Sequence, residues 1–167
     1  MFKWKKFGKI FDPTSNNSNE WMQEYAQLPF PYILNDKVIR VYFATRPKSD
    51  SDLKYISRSG YVDLDRKNLT QIINISEKPL FEIGSPGSFD EFGAMTSCFI
   101  NVGKKVYGYY TGWSRLQTVP YTMAIGLAIS SDGGDTFKKI SEGPILGQTE
   151  KEPFLLSGPK IIIENGL

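Results

Sequence analysis

The stretch that decides the fold is ISEKPLF at residues 75–81, which recurs as ISEGPIL at residues 140–146. The two copies lie 65 residues apart, and each precedes a loop and a new apolar run. A weaker echo pairs residues 10–12, IFD, with residues 80–82, LFE. Self-similarity at a fixed spacing is the signature of a repeat architecture, so the chain is interpreted as repeated copies of one structural unit.

Turn-forming pairs divide each unit into short strands. Asn35-Asp36, Gly103-Lys104 and Asn165-Gly166 each follow an apolar run, and these residue types tolerate the positive φ of tight hairpins. Strands are predicted in the first unit at 28–34, 38–45, 55–64 and 69–75. Strands are predicted in the second unit at 95–102, 105–111, 122–130 and 137–140. A short helix is conceivable only over residues 20–27.

Four short antiparallel strands per unit predict an all-β chain, specifically a β-propeller with two complete blades and the first strand of a third. Prolines at 29, 31 and 159 fit the first strand of a blade, which has a free edge. The alternative is a β-sandwich in which the internal similarity is accidental. The predicted single, partial domain covers 1–167, with blade one at about 12–79, blade two at about 80–144, blade three starting at about 145–167 and a possible closing strand at 1–11.

Composition excludes several kinds of chemistry. The chain has no histidine and one cysteine, Cys98, so it cannot form a Ser-His-Asp site, a His-ligated metal centre or an internal disulfide. We therefore predict no metal and no other cofactor, and assign any acid–base chemistry to carboxylates, Tyr or Lys. The net charge of +2 indicates no obligatory nucleic-acid partner. The sequence has neither a membrane-length apolar run nor a recognisable signal peptide, which predicts a cytoplasmic protein without a membrane partner.

The segment SSDGGDTF at residues 130–137 has the pattern S-x-D-x-G-x-T-[WF] and resembles the Asp-box of sialidases and other propellers. Physically this is a turn device, because the Asp carboxylate accepts backbone N–H bonds and the glycines supply positive φ. We predict that it joins strands three and four of the second blade and has a structural role. Its predicted members are Ser130, Asp132, Gly134 and Phe137.

Strand direction predicts where a site would lie. Because adjacent strands run in opposite directions, the loop entering strand one and the loop leaving strand two share a face. Trp113 on this face could lie flat under a sugar ring, and Arg46 and Arg115 could orient hydroxyls or an anionic group. The plainer alternative is that the carboxylates cap loops and Trp113 packs between blades. The predicted catalytic carboxylates of this face are Glu24, Asp90, Glu91 and Glu152.

Motifs spread over nearly the whole chain resemble the five-bladed propellers of carbohydrate-active enzymes, such as arabinanases, β-xylosidases, invertases and mannoside phosphorylases. The resemblance is strongest to an uncharacterised branch related to glycoside hydrolase family 43. It implies a five-bladed fold and an activity on, or affinity for, carbohydrate. Besides the Asp-box, the motifs are FDPT (11–14), WMQEYAQLPFP (21–31), VYFATRP (41–47), FDEFGAMTS (89–97), YYTGW (109–113) and SGPKIII (157–163).

One departure from that family concerns catalysis. Family 43 enzymes use an Asp base, an Asp that adjusts a pKa and a Glu acid at the starts of the first strands of blades one to three. The matching positions here are Gln27, Ala94 and Ser157. No catalytic residue is therefore carried over, and Gln27 and Ser157 are predicted to contact substrate instead. Two alternatives follow. Either nearby carboxylates have taken over the catalytic roles, or the protein binds glycans without cleaving them.

Three functions remain open from the sequence: a glycosidase or glycoside phosphorylase, a non-catalytic glycan-binding propeller, and a structural or protein-interaction propeller. A pair of carboxylates about 5–10 Å apart in a pocket would favour the enzyme. A pocket with Trp113 and arginine but no such pair would favour glycan binding.

Five blades would need roughly 320 residues, so the chain is interpreted as an N-terminal fragment whose exposed blade edge could mediate association.

Overall fold

The computed structural model describes residues 2–15, 19–48 and 55–164. It contains two four-stranded antiparallel sheets, each with its strands in sequence order, which confirms the all-β prediction. The first sheet comprises β1 (Glu24–Ile33), β2 (Val38–Arg46), β3 (Arg58–Asp65) and β4 (Ile72–Ile75). The second comprises β5 (Gly93–Val102), β6 (Lys105–Arg115), β7 (Tyr121–Ser130) and β8 (Lys138–Lys139).

The two ISE segments occupy equivalent registers. Ile75 at the end of β4 pairs with Val62 in β3. The Ile140 amide, just after β8, donates to the Leu127 carbonyl in β7 over 3.1 Å. Since Val62 and Leu127 are also 65 residues apart, the internal repeat corresponds to a structural repeat.

The surroundings of the two repeats differ because the second sheet covers the first. Leu80 and Phe81 are each 2% exposed, and the ring of Phe81 stacks on Tyr110 of β6 with centroids 5.0 Å apart. The equivalent Ile145 and Leu146 are 40% and 49% exposed. One side of the second sheet is therefore apolar and uncovered in the described part of the chain.

One sequence prediction about secondary structure is wrong, and two others stay predictions. Residues 20–27 form no helix, since β1 begins at Glu24, and the helical turn lies instead at Pro13–Ser15. Residues 2–11 are not assigned to a strand, and the closing strand at 1–11, which would pair with a last blade, stays a prediction. Over 145–164 the segment makes one isolated bridge, Leu146 to Ile125. A strand is assigned only beside a hydrogen-bonded neighbour, so the predicted first strand of a third blade stays a prediction. The predicted Asn165-Gly166 turn lies outside the described residues.

An aromatic core joins the two sheets. Tyr42 of β2 is fully buried and stacks on Phe99 of β5 with ring centroids 3.8 Å apart. Phe137, at the end of the 130–137 turn, packs against both rings. Two backbone contacts extend the junction: the Ser57 amide donates to the Phe92 carbonyl at 2.9 Å, and Ser59 Oγ donates to the Ala94 carbonyl at 2.5 Å.

The opposite face of the first sheet is covered by the N-terminal segment. Phe43 of β2 is 2% exposed and lies 5.3 Å from Phe11 between ring centroids. Met22 is fully buried in the same cluster, with Val62 and Leu64 of β3. An apolar layer thus comes from Ile10, Phe11, Trp21 and Met22, none of which lies in a strand.

A buried arginine crosses the junction. Arg40 of β2 is 2% exposed and donates to both oxygens of Asp63, through Nε at 2.7 Å and Nη2 at 2.9 Å. Its Nη1 donates to the Gly134 carbonyl at 2.9 Å and to Asp135 Oδ1 at 2.6 Å, both in the second sheet's turn. Burial opposes the charge, and the bonds to Asp63 and Asp135 outweigh it, so the pKa of Arg40 is raised. Charge pairing thus links the two sheets directly.

The 130–137 turn is organised by Asp132. Its Oδ1 accepts the backbone amides of Asp135 and Thr136, each at 3.1 Å, and its Oδ2 accepts the Thr136 hydroxyl. Ser130 Oγ donates to Asp132 at 2.6 Å and accepts the Gly134 amide at 2.8 Å. Positive φ angles at Gly133 (82°) and Gly134 (100°) close the loop. The turn therefore presents the Gly134 carbonyl to Arg40.

Replacing Arg40 by leucine should lower the free energy of unfolding by about 3–5 kcal/mol, because Asp63, which is 5% exposed, would keep a buried, unpaired charge. Urea unfolding of the full-length protein measures this. The control is Arg66→Leu, since Arg66 is exposed and its nearest acidic partner, Asp36, is 3.8 Å away in solvent. Equal losses in the two variants would contradict a special role for Arg40.

Replacing Asp132 by alanine should lower the free energy of unfolding by about 1 kcal/mol, because the turn loses several hydrogen bonds in a solvent-accessible place. Burial opposes ionisation of Asp132, but hydrogen bonds from Ser130 and Thr136 outweigh it and lower its pKa to about 2. A depressed folded-state pKa stabilises the protein above the unfolded value of about 3.9, and this stabilisation disappears as the pH falls through the folded value.

The stability difference between the wild type and Asp132→Ala should therefore shrink between about pH 4 and pH 2. Urea unfolding at a series of pH values measures this difference, with the exposed Asp36→Ala as control. A difference that stays constant down to pH 2 would show that the charge of Asp132 contributes nothing to the turn.

Candidate functional site

A cleft of about 810 Å³ opens at one end of the junction between the sheets. Its walls come from the bulged part of β1, the end of β2, the start of β5, the end of β6 and the start of β7. Since β2 begins at the Arg40 junction and ends at Arg46 in the cleft, the Asp132 turn lies at the opposite end. The described lining residues are Gln27, Leu28, Arg46, Tyr55, Met95, Thr111, Trp113, Arg115, Pro120, Tyr121, Met123, Ser157 and Gly158.

The β1 wall is irregular at the cleft. Register shifts between β1 and β2 occur on both sides of Gln27. Tyr25 and Leu28 have φ angles of 65° and 53°, a region that side-chain-bearing residues seldom adopt. Bulges of this kind redirect side chains at sheet edges and beside functional sites. Here they bring Gln27 and Leu28 to the cleft, and Leu28 stays 50% exposed despite being apolar.

Two arginines lie on aromatic rings at the cleft wall. The guanidinium carbon of Arg46 is 4.7 Å from the centroid of the Tyr55 ring and 5.6 Å from that of Tyr25. The guanidinium carbon of Arg115 is 4.2 Å from the centroid of Phe92, and its Nη2 donates to the Tyr55 carbonyl at 2.9 Å. Both arginine side chains are thereby oriented by packing against aromatic rings and by the attraction between a cation and a ring face.

Trp113 forms part of the wall and is 8% exposed. It packs in a buried cluster with Ala44 and Met95, and its ring centroid lies 5.8 Å from that of Phe92. A side chain on Gly93 would collide with the Trp113 ring nitrogen, so the glycine permits this close packing. Little of the Trp113 ring surface remains for a ligand, and the role expected of it as an open platform fits Tyr121 better, which is 43% exposed.

The predicted catalytic carboxylates do not line the cleft within the described residues. Glu24 is half-buried at the start of β1, opposite Arg46 in register. Glu91 Oε2 accepts the Gly87 amide at 2.9 Å. Glu152 is exposed, and its backbone amide donates to Thr149 Oγ1 at 3.0 Å. The structure therefore brings together Gln27, Arg46, Trp113, Arg115 and Ser157 and leaves the carboxylates apart from them.

The Asp90 carboxylate does not line the cleft and is bound by three neighbouring side chains. It is 1% exposed, and its Oδ2 accepts both the Tyr110 hydroxyl at 3.0 Å and Lys139 Nζ at 2.5 Å, while Ser88 Oγ donates to Oδ1. Burial and the neighbouring Asp90 charge raise the pKa of Tyr110, which keeps its hydroxyl protonated as a donor. The carboxylate thus ties the loop before β5 to β6 and β8.

The three positions that the sequence resemblance matched to catalytic acids lie at or next to this cleft. Gln27 and Ser157 line it, and Ala94 is buried directly beside the lining residue Met95. None of the three side chains can ionise. The lining around these positions therefore offers hydrogen-bond donors and acceptors, with no pair of carboxylates among the described residues.

Tyr55, Tyr121 and Met123 line the cleft but were not predicted from the sequence. A signal for Tyr121 was present, because the parity argument that places the end of strand two on this face also places the start of strand three there. Tyr55 lies in the loop after β2, and its proximity to both arginines depends on loop conformation, which has no sequence pattern.

Among the described residues, no group of His, Cys, Asp and Glu side chains could hold a metal ion. In the same residues, every helical segment is too short and too polar to cross a membrane.

An uncharacterised protein of Mycobacterium tuberculosis, present in two strains, is 33% identical to this chain over 163 residues. The alignment covers 98% of this chain and 52% of the relative. The chain therefore spans about half the length of the curated relatives it matches. No protein-family model matches it.

Solved structures show the same arrangement of sheets. A candidate glycosidase from Bacteroides thetaiotaomicron superposes with a TM-score of 0.59, and a candidate glycoside hydrolase from Parabacteroides distasonis with 0.57. A glycosyl hydrolase from Bacteroides ovatus gives 0.53. Each is 19% identical to this chain and matches 84% of it, and the match covers 37–38% of each neighbour. The likeness is one of fold.

Replacing Asp90 by alanine should lower the free energy of unfolding by about 2–4 kcal/mol, because the Tyr110 hydroxyl and the Lys139 ammonium group lose their common acceptor. The matched control is Glu91→Ala, in which a half-buried neighbour loses one hydrogen bond. Thermal and urea unfolding compare the two variants in the full-length protein. An Asp90→Ala variant of normal stability would show that this carboxylate is free for another role.

Proposed function

We propose that this chain forms the first two blades of a five-bladed β-propeller related to glycoside hydrolase family 43, and that its cleft binds a carbohydrate. Residues 12–79 and 80–144 correspond to the blades, with the third beginning after 145. The propeller is supported by the 65-residue structural repeat and by neighbours of which the chain covers 37–38%. Cytoplasmic location stays a prediction of the sequence.

The observation that carries the carbohydrate proposal is the composition of the cleft wall. Its volume of about 810 Å³ is suited to a ligand of one to a few sugar rings. Tyr121 offers an exposed ring for the apolar face of a sugar. Gln27, Ser157 and the two arginines supply donors and acceptors for hydroxyl groups. An apolar floor with a few convergent polar groups is the usual make-up of a small-molecule site.

A second candidate function is glycoside hydrolysis or phosphorolysis. The observation that favours it is the fold, which is shared with candidate glycoside hydrolases. Such enzymes need an acid and a second carboxylate flanking the bond that is cleaved. The described cleft wall contains neither, so in this proposal catalysis requires Glu24, Glu91 or Glu152 to approach the ligand, or acids from blades beyond the present chain.

Calorimetric titration of the full-length protein with a panel of neutral and acidic oligosaccharides tests the proposal. We expect at least one sugar to bind, and Tyr121→Ala to weaken it about 3–10-fold, the contribution of one ring contact. Tyr121→Phe keeps the ring and should bind as the wild type does. The proposal fails if no sugar binds, or if Tyr121→Ala binds as tightly as the wild type.

Turnover of the same panel and of aryl glycosides, with and without phosphate, separates the two candidates. Turnover that is lost in Glu152→Gln and kept in Ser157→Ala would favour an enzyme with relocated carboxylates. Binding without turnover would favour a glycan-binding protein.

A further inference from the structure

The charged residues that line the cleft in the described part of the chain are all of one sign. Arg46 and Arg115 line the cleft, and none of the described lining residues is acidic. Within the described part of the chain, neither arginine has a carboxylate within 4.0 Å. A partly enclosed space with this asymmetry concentrates anions.

Tyr55 contacts both guanidinium groups at the cleft wall. Its ring packs against Arg46, and its carbonyl accepts Nη2 of Arg115. A single residue between the two like charges keeps them near one another. Such an arrangement is unfavourable while the cleft holds only water and becomes favourable when an anion binds between them.

Both side chains retain donors for a ligand. Arg46 Nε is buried and has no hydrogen-bond partner among the residues that the structure describes, and a buried donor of this kind calls for an explanation. Arg115 makes one hydrogen bond among the described residues, whereas a guanidinium group has five N–H donors. Because aromatic rings fix both planes, little conformational freedom is lost when a planar or tetrahedral anion is bound in a forked geometry.

We infer that the cleft selects an acidic carbohydrate, with the carboxylate or phosphate group of the sugar bound between Arg46 and Arg115 and the sugar ring against Tyr121. This inference rests on the proposed carbohydrate-binding function and adds the chemical class of the ligand. A uronic acid and a sugar phosphate present the same anionic chemistry, so the experiment includes both.

The test is calorimetric titration of the full-length protein with matched sugars that differ only in the charged group. The probes are methyl glucuronide with methyl glucoside, digalacturonic acid with digalactose, and glucose 6-phosphate with glucose. We expect one acidic member to bind at least about tenfold more tightly than its neutral partner, as charge-assisted hydrogen bonds predict. The advantage should diminish as NaCl is raised.

Arginine variants connect that preference to the cleft. Arg115→Gln and Arg46→Gln should each weaken the acidic sugar about 10–100-fold while leaving a neutral sugar within about threefold. Arg115→Lys should retain part of the preference, because it keeps the charge but not the fork. Arg66→Gln, the same change at an exposed position outside the cleft, should bind as the wild type does. Melting temperatures identify any variant whose loss of binding reflects unfolding.

The outcomes separate the inference from the proposed function. If neutral sugars bind as tightly as their acidic partners, or the arginine variants weaken both equally, the inference is overturned and carbohydrate binding stands. If no sugar of either kind binds, the proposed function falls and the inference with it. If inorganic phosphate binds in an Arg115-dependent manner and no sugar does, the cleft recognises an anion alone, and both are overturned.

Discussion

The rest of the structure depends on the buried charge of Arg40. An arginine that is 2% exposed is tolerated only with full compensation, and here Asp63 comes from its own sheet while Asp135 and the Gly134 carbonyl come from the next. If the two sheets slid past one another, the Arg40 guanidinium group would lose its partners Asp135 and Gly134 while remaining buried. Apolar contacts such as Tyr42 against Phe99 supply attraction without direction. The charge pairing of Arg40 is directional, and together with the hydrogen bonds of Ser57 and Ser59 it fixes the alignment of the sheets.

The same strand that carries this constraint also builds the site. Alternation along β2 points Arg40, Tyr42, Ala44 and Arg46 toward the second sheet, and Phe43 toward the N-terminal layer. At about 3.3 Å per residue, Arg46 lies about 20 Å from Arg40 along the strand. Fixing one end of β2 in the junction therefore fixes where its other end meets β6 and β7. The rigid part of the fold and the cleft are two ends of one strand.

The sequence was informative wherever periodicity or turn chemistry governed the outcome. Repeat spacing, the alternation of β2 and strand parity predicted two sheets and the end at which Arg46, Trp113 and Arg115 gather. The sequence was uninformative where the orientation of a side chain depends on a partner that is distant along the chain. Asp90 stands just before a first strand, as a catalytic acid should, but Lys139, which is 49 residues away, turns it inward. The bulges around Gln27 and the proximity of Tyr55 to both arginines depend on loop conformation. The strand predicted to open a third blade stays a prediction, because a sequence pattern indicates a strand but does not supply the neighbouring strand that it must pair with.

The distribution of the acidic side chains explains why the cleft carries positive charge in a protein whose net charge is only +2. Asp63 and Asp135 compensate Arg40, Asp90 compensates Lys139, and Asp132 closes a turn. Each of these carboxylates is engaged by donors away from the cleft, and the two cleft arginines are packed on aromatic rings instead. A guanidinium group oriented by a ring keeps its N–H fork free, whereas one oriented by a carboxylate does not. The two cleft arginines therefore offer preorganised donors, and this is the physical basis of the acidic-sugar binding that we infer.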